Sequence, residues 1–179
     1  MNTFDAICRR KSVRAFNSAA VSDEALSKIL LAANAAPVGM GLYENFHLTV
    51  IQSGDLLAAI DKAAADMFKD PVGHAHPLYG ATTLVLVSMK KPDPAMANSA
   101  YSGAASVVQN MSLAATDLGV GMCHIWGAVA ALNQHPELVA KLGLPEGFVP
   151  CCGAALGGMD EPYTEREIPA DRIATDYIR

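Results

Sequence analysis

The sequence predicts one domain in which helices cover both faces of a β-sheet. Its 179 residues suffice for a domain of about 150 residues with an extension. Residues 82–89 form a continuous apolar run rich in β-branched side chains, which is typical of a central strand covered on both faces. Residues 99–118 place apolar side chains at helical spacing with few charges, as a buried helix does. We therefore predict a single domain over residues 1–179, with a polar C-terminal extension at about 160–179.

Two helices are predicted before the first strand. Thr3 is placed to cap the first helix, whose apolar face consists of Phe4, Ile7 and Cys8. Ser22 is placed to cap the second, and two acidic residues follow it in the first turn. The side chains that this second helix should turn inward are Leu26, Ile29, Leu30 and Ala33.

Alternating and helical patterns assign the rest of the chain. The predicted strands are 46–51, 82–89, 122–126 and 149–156. The predicted helices are 53–68, 99–118 and 136–142. Gly119 and Gly143 follow the last two helices, where a left-handed cap residue fits.

The composition bounds the partners of the chain. Charged residues make up 17%, against roughly 25% in an average soluble protein, so we expect a partner to cover some apolar surface. The net charge of −5 leaves no overall basic face for nucleic acid or anionic lipid. No apolar stretch approaches the ~18 residues of a membrane span, and no secretory signal is recognisable at the start. We expect a soluble, cytoplasmic protein that binds neither nucleic acid nor membrane.

The four cysteines form no CxxC pair and lie in apolar settings, which predicts free, buried thiols. Cys151 and Cys152 are adjacent in a predicted strand and should point to opposite faces. This arrangement disfavours a third hypothesis, in which one of them is a catalytic nucleophile.

The most informative segment for chemistry is residues 10–16. Arg10, Lys11 and Arg14 flank the hydroxyl of Ser12 just after a short helix. Guanidinium and hydroxyl groups in this arrangement suit one phosphate monoester. The alternative is a solvated basic face that complements the helix dipole.

Four segments in register resemble the FMN-dependent nitroreductase family. They are residues 10–16, Ala36-Pro37-Val38-Gly39, residues 79–87, and residues 109–123 with Leu156-Gly157 after them. The resemblance implies an α+β fold of three layers, with a central, mainly antiparallel sheet flanked by helices. It also implies a homodimer with one FMN per subunit at the interface.

The resemblance assigns roles to the basic segment. Arg10 and Ser12 are implied phosphate ligands, and Lys11 is implied to contribute mainly through its backbone N–H. Arg14 is implied to lie near the N1/O2 edge of the flavin, where a fixed cation favours the reduced form.

A second implied element is the loop at Pro37, Val38, Gly39 and Gly41, which in the family reaches the flavin of the other subunit. Val38, Gly39 and Gly41 replace the serine and asparagine that the family usually has there. Backbone groups remain able to serve, since glycine permits close approach, whereas the side-chain contacts are lost. This departure bears on the nitroaromatic substrate class more than on FMN.

The remaining implied contacts come from three places in the chain. Ile125, Trp126 and Gly127 match the segment beside the flavin ring, with Trp126 or Gly127 donating a backbone N–H to N5; packing in the core or at an interface is the alternative for Trp126. His74 matches a polar flavin contact, although a plain loop histidine is the alternative, and no metal site is expected. Arg166 lies one position from the base that the family brings to the phosphate, and a surface arginine is its alternative.

The function implied is reduction of FMN by NAD(P)H, through hydride transfer to N5, followed by electron transfer to a nitroaromatic, a quinone or another small acceptor. No catalytic side chain beyond the flavin is required. The alternative is an FMN-binding protein without turnover, which stores or senses the flavin.

Overall fold

The computed structural model of the chain describes residues 1–69 and 76–179. Within these residues the centre is an antiparallel sheet with the strand order β1-β2-β4-β3. The strands are β1 (Phe46–Ile51), β2 (Thr83–Lys90), β3 (Gly121–Ile125) and β4 (Phe148–Gly157). The predicted antiparallel sheet and all its predicted strands are confirmed, with ends shifted by a residue or so.

Helices cover both faces of this sheet, as predicted. They are α1 (Thr3–Arg9), α2 (Asp23–Asn34), α3 (Gly54–Phe68), α4 (Ala97–Leu118), α5 (Gly127–Leu132) and α6 (Pro136–Ala140). One face packs against α2 and α4, and the other packs against α3, α5 and α6. The α+β class with three layers is therefore confirmed.

Strand β2 is fully covered because its alternate side chains enter two different cores. Leu84 and Leu86 join the core shared with α3 and α5, and Val85 and Val87 join the core shared with α2 and α4. All four have no exposed surface. Burying each contributes about 1.5–3 kcal/mol, so this strand anchors the sheet.

The first helix differs from its prediction. Asn2 caps α1 in place of Thr3, since its side chain accepts a hydrogen bond from the Asp5 N–H at 2.9 Å. Only Ala6 is buried, whereas Phe4 is 72% exposed. Helix α1 contacts α4, while Phe4 and Ile7 of its predicted apolar face stay exposed in a single chain.

The second helix begins as predicted. Ser22 caps α2 by accepting a hydrogen bond from the Ala25 N–H. Helix α5 was not predicted, since six residues between a strand and a loop are too few for a helical pattern to emerge.

A β-bulge in β4 overturns the prediction for the adjacent cysteines. Val87 pairs with Cys152 and Ser88 pairs with Pro150, so Cys151 is an extra residue in the strand. A bulge places two consecutive residues opposite one residue of the partner strand. Cys151 and Cys152 consequently pack against the same core, the one shared with α2 and α4.

The chain after β4 has no helix or strand from residue 159 to residue 179. Tyr163 is buried in this tail, and its hydroxyl donates a hydrogen bond to the Val120 carbonyl at 3.0 Å. Among the residues that the structure describes, no helix is both long and apolar enough to span a bilayer.

Candidate functional site

The basic segment, residues 10–16, runs along the free edge of β3. The Val13 N–H donates to the Met122 carbonyl at 2.9 Å, which ties the segment to that strand. Further on, the Phe16 N–H donates to the Tyr79 carbonyl at 3.2 Å. These bonds use buried or half-buried positions of the segment and leave Arg14 exposed.

The segment brings its polar side chains to β3. The Ser12 hydroxyl lies beside the Cys123 thiol; burial raises the pKa of this thiol, while Arg14, Ser12 and Arg10 pull it down in part. The pKa of His124 is lowered, first by the protein packed around part of its ring and then by the Arg10 guanidinium. Arg10, Ser12 and Arg14 therefore lie together at one edge of the sheet.

The cations of this edge fall into two groups. Arg9 pairs with Glu165 at 3.3 Å and Lys11 pairs with Glu161 at 3.2 Å. Arg10 and Arg14 have no carboxylate oxygen within 4.0 Å among residues 1–69 and 76–179. Two guanidinium groups thus have no acidic partner within the described ranges.

The C-terminal tail lies against the basic segment. Besides the two acidic partners, Arg166 donates a hydrogen bond from Nε to the Cys8 carbonyl at 2.9 Å. Tyr163 fixes the tail to the residue before β3. Sequence reasoning missed Tyr163, whose signal was an aromatic residue at the start of a polar tail.

The junction of β3 and α5 lies beside this edge. Ile125 is buried at the end of β3, Trp126 precedes α5 with its side chain 69% exposed, and Gly127 is the first residue of α5. The core alternative for Trp126 is therefore wrong for the single chain. The ring of Phe68 fills the space beside Gly127, since a Cβ there would lie 3.0 Å from the Phe68 Cε2. Phe68 was also missed, because its contact joins residues far apart in sequence.

A cavity of about 430 Å³ opens along the basic segment. Its lining is residues 11–16 together with Met159, Asp160 and Glu161. Both signs of charge line it, because Lys11 and Arg14 and the two acidic residues of the tail all belong to the lining.

The small-residue loop, at residues 37–41, lies away from the basic segment. Pro37, Val38, Gly39 and Gly41 precede β1, which is the edge strand opposite β3. Three strand spacings, about 14 Å, separate these two edges. Met40 and Gly41 have positive φ values of 57° and 67°, and Met40 is 73% exposed. One chain therefore does not bring this loop to Arg10.

The predicted contact His74 lies outside the described residues. Its neighbour His76 pairs through Nδ1 with Asp61 Oδ2 at 2.6 Å. Within the described part of the chain, no three His, Cys, Asp or Glu side chains are grouped to hold a metal ion.

Known proteins that share this fold include nitroreductases crystallised with FMN. The nitroreductase family model matches residues 7–158. A crystal structure of a nitroreductase with bound FMN from Desulfitobacterium hafniense is 25% identical, covers 100% of both chains and superposes with a TM-score of 0.85. A nitroreductase with bound FMN from Bacteroides fragilis is 29% identical, covers 99% of this chain and 100% of its own, and has a TM-score of 0.80.

A curated relative comes from Archaeoglobus fulgidus and is named "Putative NADH dehydrogenase/NAD(P)H nitroreductase". It is 27% identical in an alignment of 179 positions, which spans 96% of this chain and 93% of the relative. The matched residues include the basic segment, the small-residue loop, helix α4 and strand β4. The chain belongs to the nitroreductase family.

Proposed function

We propose that this chain is an FMN-dependent oxidoreductase that accepts electrons from NAD(P)H and passes them to a small acceptor. The observation that carries the proposal is the pair of uncommitted guanidinium groups, Arg10 and Arg14, on either side of Ser12. The relatives whose structures contain FMN share the fold over the whole chain.

The donor set at this edge fits a phosphate monoester. Arg10 is half-buried and offers several N–H donors, and Ser12 adds a hydroxyl. The Nε of Arg9 is buried and has no hydrogen-bond partner among the described residues, so a further donor is available close by. One compact cluster suits one terminal phosphate, and the chain has no glycine-rich turn for a pyrophosphate. We infer FMN and not FAD.

When bound, FMN would supply the redox chemistry, which is to take a hydride from a reduced nicotinamide and to pass electrons to the acceptor. This chain contributes binding and orientation. Arg14 is the cation proposed for the N1/O2 edge, and Trp126 or Gly127 is proposed to direct a backbone N–H toward N5. Arg166 is the additional phosphate candidate, because its Nε bond to Cys8 leaves its terminal nitrogens available.

A site built from two chains follows from the same positions. The small-residue loop and Arg10 occupy opposite edges of the sheet, so a loop from a second copy is needed to meet the basic segment. Large apolar side chains are exposed on the helices and loops that such a copy would cover: Phe4, Leu31, Met40, Tyr101 and Trp126. We therefore propose a homodimer.

An FMN-binding protein without turnover is the second candidate. The bulky, exposed side chains of Met40 and Trp126 favour it, because both can cover the face of a flavin that an acceptor must reach. The two candidates differ in one property, which is whether NAD(P)H reduces the bound flavin.

Anaerobic mixing separates them. Holoprotein is mixed without oxygen with NADH and, separately, with NADPH, and the visible absorbance of oxidised flavin is followed. An oxidoreductase loses this absorbance rapidly with at least one coenzyme and regains it when a quinone or nitroaromatic is added. A flavin that stays oxidised with both coenzymes, yet is reduced by dithionite, contradicts the proposed turnover.

A further inference from the structure

The adjacent thiols of Cys151 and Cys152 lie away from the basic segment of the proposed flavin site. They lie in β4 on the side of the sheet that faces α2 and α4, whereas the basic segment follows the edge of β3. Both side chains are half-buried, and both are free thiols. No role in the proposed oxidoreductase reaction uses them.

The bulge creates a dithiol that a regular strand would not. In a regular strand two neighbouring side chains point to opposite faces. Here Cys152 pairs with Val87, Cys151 is left without a partner in the register, and both pack against the same core. The Cys152 Sγ also approaches the Ala104 carbonyl at 3.8 Å, which holds this thiol between the sheet and α4.

We propose that Cys151 and Cys152 form a redox modification site, which closes to a disulfide between neighbouring residues by exchange with a small-molecule disulfide. A bond between adjacent cysteines requires the backbone to leave ideal strand geometry. The bulge has already removed Cys151 from the regular ladder.

The exchange proceeds in two balanced steps. The Cys151 thiolate attacks one sulfur of the external disulfide, and one thiolate leaves. The Cys152 thiol then loses its proton to solvent, and its sulfur attacks Cys151 Sγ, releasing the second thiolate. Two cysteine thiols are oxidised, and the external disulfide is reduced to two thiols.

The two thiols differ in a way that suits these roles. The neighbouring Cys152 side chain lowers the pKa of Cys151, against the effect of burial. The Cys151 side chain and burial together raise the pKa of Cys152. Since the thiolate is the attacking form, Cys151 reacts first and Cys152 resolves the mixed disulfide.

The test treats the FMN-loaded protein with an aromatic disulfide whose leaving thiol is coloured, and then maps the peptide with residues 142–166 by mass spectrometry. We expect this peptide to lose two hydrogen atoms and to retain no aromatic label. A thiol reductant should restore its mass. In Cys152→Ser the label should remain on Cys151 as a stable mixed disulfide.

Cys8→Ser is the matched control, because it removes a half-buried thiol on α1 and should leave closure of the 151–152 pair unchanged. Wild-type protein that keeps the label on Cys151 overturns the proposal. So does a wild-type peptide that stays fully reduced while denatured protein reacts. Both of these contradicting outcomes are measured on the wild-type protein, so the test holds even where a variant fails to fold.

Discussion

Arg10 and Arg14 are four positions apart and meet different surroundings. Arg10 is half-buried and lies close enough to His124 to lower the pKa of that imidazole, whereas Arg14 is exposed. The half-buried guanidinium is the less exposed of the two, which suits a ligand that must be gripped. The exposed one suits a role in the electrostatics of a neighbouring ring.

We predict different losses for the two arginines. Arg10→Ala should weaken FMN binding by about 1.5–3 kcal/mol, the scale of a hydrogen bond to a charged group, and leave the bound flavin's potential nearly unchanged. Arg14→Ala should lower the two-electron potential while retaining FMN, because the reduced flavin loses a stabilising cation. Fluorescence titration and spectroelectrochemistry measure the two quantities.

Arg172→Ala is the control for both, since it removes an exposed arginine of the distal tail. If Arg14→Ala keeps the wild-type potential and Arg10→Ala shifts it, the two roles are reversed. If neither variant changes either quantity, the site lies elsewhere.

His124 offers a pH-dependent test of the electrostatics at the same edge of the sheet. Its pKa lies below the ordinary 6.5 because of partial burial and the Arg10 charge. The unfolded chain therefore binds more protons than the folded chain below about pH 6.5, so the contribution of His124 to stability falls as the pH falls through that range. NMR titration of the apoprotein should show the lowered midpoint, and Arg10→Ala should raise it. An unchanged midpoint in Arg10→Ala would show that the two side chains do not interact.

At the scale of elements, sequence periodicity predicted those helices and strands that depend only on local pattern. The covered strand β2, the helix that Ser22 caps and the end of α4 at Gly119 all follow from spacing and cap chemistry. The bulge at Cys151 was not predictable, because it depends on how β4 pairs with β2. The contact of Phe68 with Gly127 was likewise hidden, since it joins α3 to α5 across the chain.

The pairing of β4 with β2 requires a glycine at position 153. A Cβ there would lie 2.9 Å from the Val85 carbonyl oxygen, and backbone in the middle of a sheet cannot move aside easily. We predict that Gly153→Ala lowers the free energy of unfolding by about 1–3 kcal/mol, the usual cost of overpacking a core. Denaturant titration measures the change.

Gly54→Ala is the matched control for this substitution. Gly54 begins α3, and a Cβ added there meets no atom within 4 Å. This variant should be neutral or slightly more stable, by up to about 1 kcal/mol, because alanine suits a helix better than glycine does. Equal losses in the two variants would refute the steric explanation for Gly153.

At the scale of the whole molecule, the low charge content and the exposed apolar side chains have one explanation in the proposed dimer. The sequence predicted a partner from 17% charged residues. It did not predict that the loop at 37–41 and the basic segment would occupy opposite edges, because strand order is not readable from local patterns.

We predict that the protein sediments as a dimer at micromolar concentration, with an interface above the ~2,000 Å² lower end for obligate pairs. Met40→Asp should shift the equilibrium toward monomer and weaken FMN binding, since it puts a charge on the exposed side chain of the loop. Glu44→Gln, a nearby exposed position, is the control. A wild-type monomer that still holds FMN tightly would contradict a site shared by two chains.

The central claim is that the edge formed by Arg10, Ser12 and Arg14 holds the phosphate of FMN. The most direct measurement is a fluorescence titration of the apoprotein with FMN and with riboflavin, which lacks only the phosphate. The account predicts much tighter binding of FMN than of riboflavin in the wild type, and a reduced preference in Arg10→Ala. Equal affinity for the two flavins in the wild type, or no binding of FMN, would contradict it.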